Sequence, residues 1–207
     1  MRIGIFGGTF DPIHLGHLIV AEQCREQASL EQVWFVPAAR PPHKLDRPLT
    51  RFEQRVEMIQ LAIAGQPAFR VEELEKVRVG PSYTADTLEA LHRLHPNFEF
   101  WLLIGSDTVL DLPHWRDPAR VIAQAGLVVV GRPGHAIPSA DQVRSMLQVP
   151  ADMPLRYQAV ESPLIDISSR DLRRRVSRGR SLRYLVPRAV ECYIHDKRLY
   201  QDAEPDV

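Results

Sequence analysis

The chain has 207 residues, enough for one domain with a substantial core and too few for two of ordinary size. Hydrophobic residues make up 44% of it and charged residues 25%, which is typical of a soluble globular protein. Lysines plus arginines number 26, as do aspartates plus glutamates, so no overall field favours a nucleic acid or a membrane as partner. Any anion that the protein binds must be held by a local arrangement of residues.

Apolar runs alternate with helical periods along the chain. Strands are predicted at Arg2–Phe6, Val33–Val36, Phe69–Glu72, Phe98–Ile104, Leu127–Val130 and, more weakly, Arg156–Val160. Helices are predicted after Pro12, from Phe52 to Ile63, over Thr84–Leu94, Asp117–Gln124 and Ala140–Leu147, and from Pro187 onward. Strands that alternate with helices form βαβ crossovers, so we predict an α/β fold with a doubly wound parallel sheet.

The chain is predicted to form a single domain over residues 1–207, with a helical C-terminal part at about 168–200. The proline-rich stretch 37–48 is expected to be a surface loop, and residues 203–207 a frayed tail. Cys24 and Cys192 have the spacing of neither a zinc site nor a disulfide framework. The N-terminus is unlike a signal peptide, and no apolar run approaches the ~18 residues that span a bilayer. We therefore expect a cytoplasmic protein with no membrane partner.

The stretch Ile3–His17 places a glycine pair directly after the first predicted strand. In an open parallel sheet, ligands bind beyond the carboxyl ends of the strands, and Gly7 and Gly8 there would let the backbone approach a phosphate closely. A tight turn that needs positive φ is the alternative role for the pair. The G-x-G-x-x-G pattern of dinucleotide-binding proteins is not matched.

Two histidines follow the glycine pair. His14 and His17 are three residues apart, so near the first turn of a helix they share a face. Gly16 costs roughly 1 kcal/mol of helix stability relative to alanine, unless another group must come close there. A zinc pair and two structural histidines are alternatives, although no third zinc ligand is evident nearby. A glycine turn before a helix N-terminus favours a phosphate site, because imidazoles can donate hydrogen bonds there and the helix dipole favours negative charge.

The segment GGTFDPIHLGH resembles the signature of the HxGH nucleotidyltransferase superfamily, and specifically that of bacterial nicotinate-mononucleotide adenylyltransferases. ISSRDLR at 167–173 is similar to the C-terminal motif of that family, with Arg170 where many relatives carry threonine. Further matches are PPHK at 41–44, SYTADTL at 82–88, GSD at 105–107 and HW at 114–115. The resemblance runs from Ile3 to about Tyr193, and the ordered set is far more specific than HxGH alone.

The resemblance implies a Rossmann-like nucleotidyltransferase fold and an adenylyl-transfer reaction. AMP would pass from ATP to nicotinate mononucleotide, giving nicotinate adenine dinucleotide and pyrophosphate in NAD biosynthesis. It also implies Mg²⁺ bound mainly through the ATP phosphates, with no metal site of the protein's own. Such a reaction requires donors that align two anions and stabilise developing charge, rather than a nucleophilic side chain. The catalytic candidates are His14, His17, Lys44 and Arg173.

The resemblance also assigns residues to the two substrates. The ATP-binding candidates are Gly7, Gly8, Thr9, Phe10, Gly105, Asp107, Arg132, Ile167, Ser168 and Ser169. Asp107 could instead cap a helix and Arg132 could be an ordinary loop residue. Ser168 has a second predicted role, because Ser-x-x-Asp is a capping box at a helix start.

The candidates for binding the mononucleotide are Lys44, Tyr83, Thr84 and Trp115. Trp115 would stack on the pyridine ring, since a flat apolar face suits that purpose. The backbone N–H groups near Tyr83 and Thr84 would bind the nicotinate carboxylate, and Thr84 is also expected to cap the following helix. Trp34 and Trp101 lie in apolar strands and are predicted core residues.

Related transferases, a silent nucleotide-binding module and an oxidoreductase are the alternatives to this activity. A pantetheine-phosphate adenylyltransferase or a glycerol-phosphate cytidylyltransferase would share HxGH, but SYTADTL and HW argue against both. A silent nucleotide-binding module need not keep the four catalytic candidates, and a Rossmann oxidoreductase lacks its glycine pattern here. The arginines at 174, 175, 178, 180 and 183 are interpreted as a solvated face, so no nucleic-acid partner is expected. The sequence leaves the oligomeric state open, with a homodimer as one option.

Overall fold

The computed structural model describes residues 1–41, 49–78, 80–150 and 152–201. One sheet contains β1 (Arg2–Gly8), β2 (Gln32–Pro37), β3 (Phe69–Val71), β4 (Glu99–Gly105), β5 (Gly126–Val130) and β6 (Tyr157–Val160). The strand order is β3-β2-β1-β4-β5-β6, and every neighbouring pair is parallel. This is the predicted doubly wound α/β fold.

Helices cover both faces of the sheet. They are α1 (Leu15–Gln27), α2 (Phe52–Ile63), α3 (Thr84–Leu94), α4 (Ser106–Asp111), α5 (Pro118–Gln124), α6 (Ala140–Met146), α7 (Ser169–Ser177) and α8 (Arg188–Asp196). Buried residues of α1, α2, α7 and α8 form one core cluster, and those of α3, α4, α5 and α6 form the other. Short 3₁₀ turns lie at Leu74–Val77 and Leu112–His114.

Alternation along the strands divides the apolar side chains between these two cores. In β2, Val33 and Phe35 face the first cluster, whereas Trp34 and Val36 face the second. Both faces are therefore apolar, which explains why the strand sequences are continuous hydrophobic runs. Trp34 and Trp101 are 1% and 7% exposed, so their prediction as core residues is confirmed.

Most predicted element boundaries shift by one or two residues, and three differences from the prediction bear on the site. Strand β1 continues through Gly8, so the glycine pair belongs to the strand. Helix α1 begins at Leu15 rather than directly after Pro12. The six-residue helix α4 starts immediately after β4. It is too short to show the hydrophobic periodicity by which a helix is predicted.

The two central strands separate at their carboxyl ends. β1 pairs with β2 as far as Gly8 and Pro37, but its pairing with β4 extends only to Ile5 and Leu102. The chain leaves β1 for a helix on one face and leaves β4 for a helix on the other. A crevice at such a reversal of strand order is where doubly wound proteins bind ligands.

The cysteines, the membrane-spanning potential and the C-terminal tail can be compared with the predictions from the sequence. Both cysteines are free thiols, Cys24 buried and Cys192 exposed. Across the described ranges, no helix is long and apolar enough to cross a membrane. The predicted frayed tail at 203–207 lies outside the described residues.

Candidate active site

A cleft of about 520 Å³, counted with its open mouth, lies at the carboxyl ends of β1, β4 and β5. It is lined by Phe6, His14, Gly16, His17, Val20, Ile104, Gly105, Val130, Gly131, Arg132, Pro133, Pro163, Ile165 and Ile167. Five predicted site residues thus meet in one place: His14, His17, Gly105, Arg132 and Ile167. They come from four separate parts of the sequence.

The two histidines stand at the N-terminus of α1. His14 is the N-cap residue, and the rings of His14 and His17 stack with their centroids 3.6 Å apart. The His14 amide donates to His17 Nδ1 at 3.3 Å, so the proton of a neutral His17 ring resides on Nε2. His14 is 4% exposed, and its Nδ1 has no hydrogen-bond partner among the described residues. The two imidazoles are thus held at the start of α1 by each other and by the backbone of the first turn.

Burial sets the charge of His14. Removal from water, followed by the nearby positive charge of Arg132, lowers the pKa of His14 to about 4. The ring is therefore neutral near pH 7 when the cleft is unliganded. A neutral imidazole can donate to an anion without first binding a proton.

The close approach at Gly16 explains the glycine between the histidines. A Cβ at position 16 would lie 3.1 Å from His14 Nδ1 and 3.3 Å from its Cε1. The His14 ring packs over the glycine, so alanine there would press on the imidazole. The helix stability lost at Gly16 is thus accounted for by the position of His14.

Gly7 and Gly8 do not form a tight turn, and that alternative is wrong. The positive φ in this region belongs to Phe10, at 51°. A Cβ at Gly8 would lie 2.8 Å from the Phe10 ring, whereas one at Gly7 would meet nothing within 4 Å. The Phe10 ring is 2% exposed and packs against His17 at a centroid distance of 5.1 Å. Its side chain belongs to the core, so only its backbone remains a candidate for contact with ATP.

The loop at 9–12 is held to the C-terminal motif through backbone carbonyls. Arg173 Nη1 donates to the Asp11 carbonyl at 2.8 Å, and Ser169 Oγ donates to the Pro12 carbonyl at 2.8 Å. Ser168 caps α7 by accepting from the Asp171 amide at 3.1 Å, as predicted. The two sequence motifs, more than 150 residues apart, therefore form one structural unit.

Asp107 and Arg132 face each other across the ends of β4 and β5. Asp107 Oδ1 lies 3.9 Å from Arg132 Nε, and both side chains are more than 40% exposed. Ser106, which is fully buried, accepts from the Arg132 amide at 3.0 Å and donates to the His135 carbonyl at 3.0 Å. Ser106 is not among the predicted site residues. A serine directly after a buried strand is a sequence signal for a polar contact at the carboxyl end of the sheet.

Trp115 and Tyr83 lie on neighbouring segments. The Arg116 guanidinium is 4.5 Å from the centre of the Tyr83 ring, and the partly buried Trp115 packs against the second core. The predicted cap is corrected here: Tyr83 is the N-cap of α3, and Thr84 is its first helical residue. Thr84 lies at the helix N-terminus, where the first amides of a helix precede its first backbone hydrogen bonds.

Donors surround this helix N-terminus. The Tyr83 carbonyl already accepts from the amides of Asp86 and Thr87, both at 3.1 Å. Asp86, the acidic residue of the first turn, is paired with Arg120. The Tyr83 carbonyl and Asp86 Oδ1 therefore already accept hydrogen bonds from within the protein.

The structure describes neither Lys44 nor its neighbours at 42–48, so the two roles predicted for Lys44 lie outside the described residues. Within the described ranges, no group of three or more His, Cys, Asp or Glu side chains could hold a metal ion. The donors of the cleft suit an anion, and a divalent cation would fit there as part of a metal–phosphate complex.

Comparison with known proteins places the chain in a family. The sequence profile of the cytidylyltransferase-like family matches residues 5–175. A probable nicotinate-nucleotide adenylyltransferase of Geotalea uraniireducens is 43% identical over 98% of this chain and 100% of the relative. One of the same name from Thermus thermophilus is 46% identical over 97% and 100%. The chain belongs to the nicotinate-nucleotide adenylyltransferases of the cytidylyltransferase-like family.

Solved structures agree on the fold of this adenylyltransferase family member. The Plasmodium falciparum nicotinic acid mononucleotide adenylyltransferase complexed with NaAD superposes with a TM-score of 0.78. It is 23% identical, and the superposition covers 97% of each chain. Similarity at this identity establishes the fold alone, so the roles of individual residues depend on the geometry described above.

Proposed function

We propose that the protein transfers AMP from ATP to nicotinate mononucleotide, releasing pyrophosphate and forming nicotinate adenine dinucleotide. The observation that carries this is the stacked His14–His17 pair at the N-terminus of α1, at the reversal of strand order. A helix N-terminus and imidazole donors favour a polyphosphate. Family membership identifies the reaction class that such a site performs.

The chemistry needs alignment and charge stabilisation. A phosphate oxygen of the mononucleotide forms a bond to the α-phosphorus of ATP while the bond to the β-phosphate oxygen breaks and its electrons leave with pyrophosphate. The His17 Nε2–H group, His14 and Arg132 would donate to the phosphate oxygens as negative charge moves to the leaving group. Arg173 would hold the loop that carries these donors, through the Asp11 carbonyl. Lys44 remains a predicted partner of both substrates.

Mg²⁺ is proposed as the metal that accompanies ATP. When bound, it would neutralise phosphate charge, and its remaining ligands would be mainly water. Asp107, which is exposed beside Arg132, would accept a hydrogen bond from such a water. His14 and His17 would remain donors to phosphate oxygens rather than metal ligands.

The mononucleotide is proposed to bind beside the N-terminus of α3. Trp115 would stack on the pyridine ring and the first-turn amides near Thr84 would donate to its carboxylate. What supports this choice is that the Tyr83 carbonyl and Asp86 Oδ1 already accept hydrogen bonds from within the protein. A nicotinamide NH₂ would find donors where it needs an acceptor, and a buried unpaired polar group costs roughly 1–3 kcal/mol.

Assembly and location are also part of the proposal. One chain would act as a single nucleotidyltransferase unit over residues 1–207, in the cytoplasm, without a nucleic-acid partner. A homodimer is testable by sedimentation, which distinguishes one copy of the 23.6 kDa chain from two.

A substrate panel tests the function against its relatives. Pyrophosphate release would be measured with ATP and, in turn, nicotinate mononucleotide, nicotinamide mononucleotide and pantetheine phosphate, and with CTP plus glycerol phosphate. We expect release chiefly with nicotinate mononucleotide. Faster release with pantetheine phosphate or with CTP plus glycerol phosphate would assign the chain to another activity.

A further inference from the structure

Three polar side chains cluster at the loop 9–12, to which one of them belongs. Asp11 is 3% exposed and Arg55 is 1% exposed, while Tyr200 reaches the same place from the end of the C-terminal segment. None of the three is among the side chains that line the cleft. Buried charges are costly unless neighbouring groups compensate them, so the contacts of this cluster are informative.

Arg55 joins the loop to the segment before α2. Its Nη1 donates to the Thr9 carbonyl at 2.8 Å, and its Nε donates to the Thr50 carbonyl at 3.0 Å. Burial lowers the pKa of Arg55, and the negative charge of Asp11 is the largest factor that opposes this effect. The buried guanidinium is thus compensated by Asp11 and fixed to the backbone on both sides.

Asp11 is held through three of its atoms. Oδ1 accepts from the Tyr200 hydroxyl at 2.6 Å, Oδ2 accepts from the Thr50 amide at 3.3 Å, and the carbonyl accepts from Arg173 at 2.8 Å. Burial, followed by the charge of Asp11, raises the pKa of the Tyr200 phenol. The hydroxyl therefore stays protonated and can donate to the carboxylate at any physiological pH.

This arrangement connects the end of the chain to the histidines. His14 follows Asp11 by three residues and is the N-cap of α1. A hydroxyl contributed 189 residues away in sequence therefore fixes the short segment that places His14 over Gly16. Small displacements of catalytic groups are expensive, because a misplacement of about 1 Å can cost on the order of 100-fold in rate.

We propose that Tyr200 is a positioning residue for adenylyl transfer, whose hydroxyl acts through Asp11 on the loop that presents His14 and His17. The inference rests on the proposed function. Loss of the hydroxyl releases Asp11 Oδ1 and loosens the loop, while the sites for the pyridine ring and its carboxylate keep their contacts. Turnover therefore depends on Tyr200 more than the KM for nicotinate mononucleotide does.

A second tyrosine offers a matched control. The Tyr193 hydroxyl donates to Glu57 Oε2 at 2.5 Å, so it too joins the C-terminal segment to a carboxylate of another element. That bond connects α8 to α2 and does not touch the loop at 9–12. Tyr200→Phe and Tyr193→Phe each remove one oxygen and one tyrosine–carboxylate hydrogen bond.

The test compares kcat, KM and the unfolding midpoint of both variants with those of the wild type. We expect Tyr200→Phe to lower kcat about tenfold with KM for nicotinate mononucleotide within about twofold, and Tyr193→Phe to leave both constants near wild type. Wild-type kcat in Tyr200→Phe, equal losses in the two variants, or failure of Tyr200→Phe to fold would overturn the positioning role. A wild-type protein that forms no dinucleotide would instead refute the proposed function.

Discussion

The imidazole rings of His14 and His17 stack at 3.6 Å with 25° between their planes, while the His14 amide donates to His17 Nδ1. The backbone contact fixes which face and which nitrogen His17 presents, because Nδ1 is occupied and Nε2 carries the proton of the neutral ring. The packing over Gly16 fixes the His14 ring in the same way. The pair is preorganised before any substrate arrives, which is what electrostatic stabilisation of a transition state requires.

Replacing His17 by alanine should reduce turnover more than it weakens binding of the mononucleotide. Its Nε2–H group is assigned to the triphosphate, where charge develops on the leaving pyrophosphate. We expect a loss on the order of 3 kcal/mol, or roughly 100-fold in kcat. Steady-state kinetics would measure it, with His195→Ala as control because that side chain is 88% exposed. Near-normal turnover in His17→Ala would remove the assigned role.

The lowered pKa of His14 predicts how stability depends on pH. The unfolded chain binds a proton at His14 near pH 6.5, whereas the folded chain does so only near pH 4. The unfolded state therefore binds more protons between these values, and the free energy of unfolding falls as pH decreases through this window. From about pH 7.5 to about pH 5 this group should contribute a decrease of about 2 kcal/mol.

Denaturant unfolding at both pH values would measure that decrease. His14→Gln should show a smaller decrease than the wild type, since it lacks the titrating ring. His195→Gln removes an exposed histidine and should match the wild type. Identical pH slopes in wild type and His14→Gln would contradict the neutral, buried state of His14.

Activity should require a divalent cation. The described part of the cleft offers His14, His17 and Arg132 to a triphosphate, too little positive charge to balance it alone. Because no cage of three protein ligands exists in the described ranges, the cation should bind with ATP and be removed easily. Excess chelator should abolish dinucleotide formation, and added Mg²⁺ should restore it. Full activity in chelator would show that ATP is neutralised in another way.

Trp115→Ala should separate affinity from discrimination. Stacking is nearly indifferent to whether the pyridine ring carries a carboxylate or an amide, so the KM for both mononucleotides should rise. Discrimination depends on the donors near Thr84 and should persist. The measurement is kcat/KM for nicotinate and nicotinamide mononucleotides on wild type and variant. A large change in the ratio of the two values in Trp115→Ala would give the ring a role in selecting its substrate.

The fold and the histidine pair are predictable from local sequence patterns, whereas Gly105, Arg132 and Ile167 are site candidates through the family resemblance. Strands buried on two faces are continuous apolar runs, and HxGH lies within four residues, so spacing alone brings His14 and His17 to one helix turn. Adjacent glycines commonly form a turn, which is why a turn is the alternative prediction for Gly7 and Gly8. The structure instead places Gly8 in a strand, where the Phe10 ring occupies the space of its side chain.

Long-range polar contacts could not be predicted in this way. In the sequence, Arg55 is indistinguishable from a solvent-facing arginine on α2. In the structure it is 1% exposed. The Tyr200–Asp11 hydrogen bond joins the two ends of the chain, and no periodicity reports such a contact. Only the packed structure shows the burial of Arg55 and the carbonyls that its guanidinium meets.

The central claim is that this cleft moves the AMP part of ATP onto nicotinate mononucleotide. The most direct test uses ATP labelled at the α-phosphorus with nicotinate mononucleotide and Mg²⁺, followed by separation of the products. We expect all transferred label in nicotinate adenine dinucleotide, with one unlabelled pyrophosphate released for each dinucleotide formed. Label in free AMP or ADP without dinucleotide, or no turnover of ATP, would contradict it.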